Sequence, residues 1–275
     1  MSYPEIQPGD AQTPHPPYAQ TETAKEEPAQ LGMAGRFSAV LFSPTEAFKD
    51  VNRKPTWIAP LIIALVTAVL GTLAFSMIVK PDWDRLSREA IKKRDIQSNT
   101  TTPPGQVEQE VAVSKVVGKF FPLVVAIVTL ISYLFIAGVF ALALMLMQAQ
   151  TTFKKILSVV TWTRAVVGVV STIVMIASLL IKDRESLDQI NPMDPGNLTA
   201  TNVAAFLPSD ISTTLKVLAG SLDIFTIWIL ILLTIGFAAI AGARRLGTRQ
   251  TGTLVVGLWI VWVLILVGIA AIFRS

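Results

Sequence analysis

Chemistry at a protein site needs titratable, nucleophilic or metal-ligating groups that can meet, and this chain supplies few. Its single histidine is His15, and it contains no cysteine. The missing thiols remove disulfides, thiolate metal sites and cysteine nucleophiles together. His15 lies among Pro14, Pro16 and Pro17 in a polar stretch far from any apolar run, which leaves no serine–histidine pair. Two charged residues border apolar runs: Arg164 in "SVVTWTRAVVGVV" and Asp223 in "GSLDIFTIW". An ionisable group inside a span would suit an ion or proton path. The plainer reading of Arg164 is a guanidinium near the membrane surface that snorkels outward. Asp223 precedes its run, where a carboxylate caps free helix N–H groups and complements the helix dipole. The two are expected to face opposite sides of the membrane and not to pair. With no Asp, Glu or His deep in any apolar run, no phosphate-binding loop and no cluster at metal-ligand spacing, we expect no catalytic residue, no cofactor and no metal.

The remaining candidates are structural or interface residues just before the first long apolar run, in "LFSPTEAFKDVNRKPTWIAPLII". Ser43 is placed to cap a helix, Pro44 loses nothing at its first position, and Glu46 can reach back to complete a capping box. A short helix over 44–52 is predicted, stopped by Lys54-Pro55. Trp57 then opens the run.

The elements that must hold these residues are membrane elements. Of 275 residues, 52% are hydrophobic and 15% charged, against roughly 25% charged in soluble domains. The mean hydropathy of +0.58 points the same way. Five apolar runs, at about 57–79, 120–147, 156–181, 224–243 and 254–273, are each long enough to cross a hydrocarbon core of roughly 30 Å. Pro122 predicts a kinked or tilted start to the second, and 151–160 is read as partly interfacial. Residues 1–30, rich in proline and polar side chains, are expected to be a disordered tail and no signal peptide. Over 31–42, Leu31, Ala34, Phe37, Val40 and Leu41 recur at helical spacing with Arg36 elsewhere on the wheel. That is an amphipathic helix, lying on the membrane surface or packed on the protein's own bundle.

Two connections are long. In 80–119, a charged helix with Trp83, Leu86, Ala90 and Ile91 on one side is broken at Thr102-Pro103-Pro104-Gly105, and 182–222 is rich in turn residues with a short helix through Val203–Phe206. The net charge of +4 gathers at the ends of the runs and forms no arginine-rich stripe, so nucleic acid is set aside as a partner. Lysines and arginines are denser in the short loops on the N-terminal side, which favours a cytoplasmic N-terminus and, with five spans, a C-terminus opposite. Small-residue pairs such as Ala64/Ala68, Ala137/Ala141, Gly168/Thr172 and Ala238/Gly242 are read as bundle packing, with a homo-oligomer contact as the alternative. The expected fold is an all-α polytopic membrane protein. It divides into a tail (1–30), interfacial amphipathic and capped helices (31–56) and a five-transmembrane-helix bundle (57–273).

The order of "LFSPTEAFKDV" and "PTWIAPL" before the first span, "QAQTTFKKILSVVTWTRAVVGVV" through the third and "SLDIFTIWILILLTIGFAAIAG" for the fourth resembles the bacterial branch of the Yip1-domain family. The resemblance covers about 31–273. It implies a compact five-helix membrane domain with a cytoplasmic N-terminus. Eukaryotic members are linked to small-GTPase binding and vesicle traffic, but the acidic-aromatic-Gly-Pro motif of their N-terminal segment is absent, and "LFSPTEAF" stands in its place. The expected function is that of a non-enzymatic membrane organiser or adaptor in the cell membrane, with the lipid bilayer and a membrane or cytoplasmic protein as partners. The alternative is a component of a permease for a neutral or lipid-like substrate.

Overall fold

In the computed structural model the described residues are 31–188, 190, 192, 199, 201–208, 212–242 and 246–272. The tail (1–30), His15, Arg244, Arg245 and Arg274 lie outside them. Every regular element among the described residues is helical.

Prolines and polar caps set the boundaries. Helix α1 (Met33–Phe42) ends at Ser43, and Pro44 opens α2 (Pro44–Arg53) at a position whose N–H would be unpaired anyway. Helix α3 (Ile58–Val79) ends where Lys80 turns left-handed (φ 51°) ahead of Pro81. Asp82 caps α4 (Trp83–Ser98), accepting from Arg85 N at 3.1 Å, and Asn99 ends it with φ 49°. Helix α5 (Pro104–Lys119) stops at Phe120, and α6 (Phe121–Leu146) begins directly, with Pro122 in its first turn. Where a kinked or tilted start was expected at Pro122, two helices meet almost end to end with Phe120 between them. Helix α7 (Phe153–Leu180) is capped by Thr152, and α8 (Arg184–Asp188) is a single short turn. A 3₁₀ helix (Val203–Phe206) and α9 (Thr213–Ser221) lead to α10 (Ile224–Ile240) and α11 (Thr248–Ile272).

Four of these helices, α3, α6, α7 and α11, are long and apolar enough to cross a membrane. The remaining apolar run folds as α10, whose 17 residues span about 25 Å at 1.5 Å per residue. It ends before 243 because Gly242 takes a left-handed turn (φ 82°).

The core is organised around the first half of α7. Ile156, Leu157, Val159, Val160, Trp162 and Val166 are buried in succession, so this stretch is covered on every side rather than along one stripe. Within the segment read as partly interfacial, 156–160 is enclosed by protein, because α1, α2 and α10 pack on it. Phe48 of α2, Phe140 of α6 and Phe237 of α10 fill the same cluster, with the Phe140 and Phe237 rings 4.5 Å apart. Gly236 permits this approach: a Cβ there would collide with Val159 Cγ1 and sit 3.3 Å from the Phe48 ring. Helices α3 and α7 close on each other similarly, where a Cβ on Gly71 would meet Thr172 Cγ2 at 2.8 Å. At the opposite end Phe75, Val79, Leu179, Leu187 and Ile190 form a second cluster.

The connection 80–119 is a folded helical hairpin. Trp83 packs edge-on against Phe121 (5.2 Å) and over Gly118, fixing the base of the hairpin to the start of α6. Along its length Arg88 pairs with Asp84 (2.6 Å) and Glu108 (3.0 Å), Lys115 with Asp84 (2.6 Å), and Arg94 with Glu110 (2.9 Å). Lys115 and Arg88 hold the Asp84 carboxyl below its ordinary value, and Glu108 and Asp84 push the Arg88 guanidinium up. Asp95 is held low by the Thr102 hydroxyl and backbone N–H, which close the turn between the two helices.

Candidate functional site

A buried ion pair lies under α1 and α2. Arg36 projects from α1 into the bundle, and its Nε donates to Asp50 Oδ2 of α2 at 2.6 Å, with side-chain exposures of 4% and 3%. Its Nη1 donates to Thr56 Oγ1 at 2.5 Å, and Trp162 Nε1 of α7 donates to the same hydroxyl at 3.3 Å. One oxygen in the link between α2 and α3 therefore ties α1 to the central helix. A paired charge at this depth is costly to desolvate, but removing one partner is costlier because it strands the other. The arrangement works as a latch: α1 cannot leave α2 without separating Arg36 from Asp50, and the two helices together cannot leave the bundle without exposing Phe48 and Val51 and breaking the Arg36–Thr56 bond.

This corrects the placement of Arg36 off the apolar face of α1. The inward face carries Arg36 and Val40, while Phe42 points out and is 83% exposed. Of the two alternatives for 31–42, packing on the protein's own bundle is the one realised.

The sequence candidates fall into three places. Ser43 sits at the N-cap of α2, but its side chain makes no capping bond; the Ser43 carbonyl accepts from Glu46 N (3.0 Å) and Ala47 N (3.1 Å). Glu46 does not complete a capping box, because its carboxylate pairs with Lys49 Nζ at 2.9 Å on the exposed face of the helix. Pro44 occupies the first turn as expected. Trp57 is the N-cap residue of α3 and packs against two clusters, the main core and a smaller one of Leu61, Ala64, Tyr133 and Ala165.

Arg164 is the twelfth residue of the 28-residue α7, about 16 Å along the helix. Its Cζ lies 5.9 Å from the centre of the Tyr133 ring of α6, and its buried Nε has no hydrogen-bond partner among the described residues. Asp223 caps α10, with Oδ1 accepting from Phe225 N (2.8 Å) and Thr226 N (3.2 Å). No hydrogen bond or ion pair joins the side chains of Ser43, Glu46, Arg164 and Asp223 to one another. Among the described residues no three His, Asp or Glu side chains could hold a metal ion.

Sequence reasoning missed Asp50, Thr56 and Trp162. A signal was present: Asp50 interrupts Ala47, Phe48 and Val51 on the apolar side of α2, and Arg36 stands one helix earlier with the opposite charge.

The family model for the Yip1 domain matches residues 38–272. "Membrane protein YknW" of Bacillus subtilis (strain 168) is 24% identical over 241 residues, covering 87% of this chain and 90% of that protein. No solved structure matches. The aligned stretch begins inside α1 and ends with α11, so it takes in most of the latch and every long apolar helix. The chain belongs to the Yip1 domain family and is an integral membrane protein of that family.

Proposed function

We propose that this protein is a non-enzymatic organiser of the cell membrane that presents α1 and α2 to a protein partner. The observation that carries the reading is the buried network in which Arg36 of α1 meets Asp50 of α2 and Thr56, itself bonded to Trp162 of α7, so that the two helices are held on the bundle with their outer rim facing away from it. That rim offers Phe42, Thr45 and the Glu46–Lys49 pair, one large apolar side chain beside both signs of charge. Such a mixture suits a protein surface, where aromatic anchors supply the energy and flanking charges set the register.

In this reading α10 is the fifth crossing. At 17 residues it stands at the short end of what spans a bilayer, and tilt of its neighbours or local thinning accommodates the difference. Five crossings put the termini on opposite faces, with the N-terminus and the α1–α2 rim in the cytoplasm. A permease is disfavoured because Phe48, Trp162, Phe237, Leu144 and Leu232 pack into one filled cluster between α2, α6, α7 and α10.

Cross-linking mass spectrometry on the tagged protein in its native membranes tests the proposal. Links from Lys49 or Lys54 to one other protein are expected, and Phe42→Asp should abolish them without changing membrane insertion. Self-links alone would overturn partner recruitment. Flux of a neutral solute into vesicles containing only this protein would favour the permease.

A further inference from the structure

We infer that Arg164 forms a binding site for the phosphate of an anionic phospholipid, where α3, α6 and α7 pack around Tyr133. A guanidinium in the middle of a membrane-spanning helix needs a counter-charge, and the described residues provide none. Its Nε is buried without a partner, and no carboxylate pairs with Arg164 among the described residues. The nearest aromatic, Tyr133, offers only its ring face, with Arg164 Cζ 5.9 Å from the centroid. The carboxylates in reach of the bundle are committed elsewhere: Asp50 to Arg36, and Asp223 to the first turn of α10. An unpaired cation in a span marks a functional site unless something neutralises it. The guanidinium fork suits phosphate, which it can hold by two parallel hydrogen bonds.

Depth selects a lipid over a free ion. Tyr133 shares a buried cluster with Leu61 and Ala64 of α3 and with Ala165, the residue after Arg164, against Trp57 and Leu130. Tryptophan favours the headgroup level of a bilayer. Leu61 and Ala64 follow Trp57 by four and seven residues, which places the cluster about 6–10 Å below that level. A long arginine side chain covers such a distance by snorkelling, so a headgroup drawn slightly inward meets the guanidinium while its acyl chains stay in the bilayer. The site lies on α3, α6 and α7, and it does not depend on whether α1 and α2 dock a protein.

The test is native mass spectrometry of the full chain, delipidated in detergent and titrated with phosphatidylglycerol, with phosphatidylcholine and inorganic phosphate in parallel. The wild type is expected to retain one phosphatidylglycerol in preference to phosphatidylcholine. Arg164→Gln should weaken that retention about tenfold or more, the effect of losing a charge-assisted hydrogen-bond pair, and Arg164→Lys should weaken it less. Equal retention by wild type and Arg164→Gln would overturn the assignment, and so would displacement of the lipid by millimolar inorganic phosphate. Should Arg164→Gln fail to fold, the wild type still decides. Phosphatidylglycerol carrying a photoreactive headgroup should label α6 around Tyr133 and α7 around Ala165, and labelling spread evenly around the bundle would contradict the site.

Discussion

Two parts of this molecule are built from the same ion pairs in opposite surroundings. Under α1 and α2 one pair, Arg36–Asp50, is closed off from solvent. In the α4–α5 hairpin Arg88, Arg94 and Lys115 pair with Asp84, Glu108 and Glu110 in the open. Water and salt screen the exposed pairs, and each long side chain spends conformational entropy to hold its geometry, so any one of them is worth little. The buried pair gains little over an apolar substitute either, yet losing half of it leaves a bare charge in the core. The hairpin can therefore absorb substitution gradually, whereas the latch fails at a single residue.

The contrast can be pressed in order of expected effect. Asp50→Ala should destabilise the protein by about 3–5 kcal/mol, as breaking a buried pair does, read as a lowered thermal midpoint in detergent. The double variant Arg36→Met/Asp50→Leu should recover most of that loss, since neither charge is then stranded. Gly236→Val should cost about 1–3 kcal/mol by overpacking, because a side chain there meets Val159 and Phe48; unfolding monitored by tryptophan fluorescence would show it. Asp223→Ala removes a cap from α10 that satisfies two N–H groups, a loss of about 1 kcal/mol, with Asp223→Asn retaining most of the stability.

The smallest effects belong to the hairpin. Arg94→Gln should leave the thermal midpoint unchanged within error. Acid should act on the hairpin as a whole. The Asp84 and Asp95 carboxyls are held below the ordinary value of 3.8, so their contribution is complete above that value and is lost as the pH falls through the lowered folded values. Hydrogen exchange within α4 and α5 should therefore be constant from neutral pH to about pH 5, once corrected for intrinsic rates, and should quicken below 3.8 before α7 responds.

The long helices were legible because an uninterrupted apolar run in a chain with so little charge has few other fates. The turn chemistry was partly legible. Pro44 and Asp223 act as their positions suggest, but Ser43 was read as a side-chain cap and caps only through its carbonyl. Its backbone (φ −145°, ψ 58°) departs from the extended geometry usual for capping residues. The rotation of α1 was not legible. With Leu31, Ala34, Phe37, Val40 and Leu41 spread around the wheel, apolar spacing alone fits several phases. The buried partner of Arg36, 14 residues away on another helix, selects among them. Arg164 was read as surface-seeking because 151–160 was taken as partly interfacial; what the spacing could not show is its Nε, partnerless among the described residues, beside the Tyr133 ring of another helix.

The central claim is that the Arg36–Asp50 pair, tied through Thr56 to Trp162, locks α1 and α2 onto the bundle, and hydrogen exchange of the full chain in lipid nanodiscs measures it most directly. The account predicts that amides across α1 and α2 are protected in the wild type nearly as well as those in the first half of α7. They should lose protection in Arg36→Met or Asp50→Leu alone while α3, α6 and α7 keep theirs, and regain it in the double variant. Wild-type α1 and α2 exchanging as fast as in the single variants would contradict the latch.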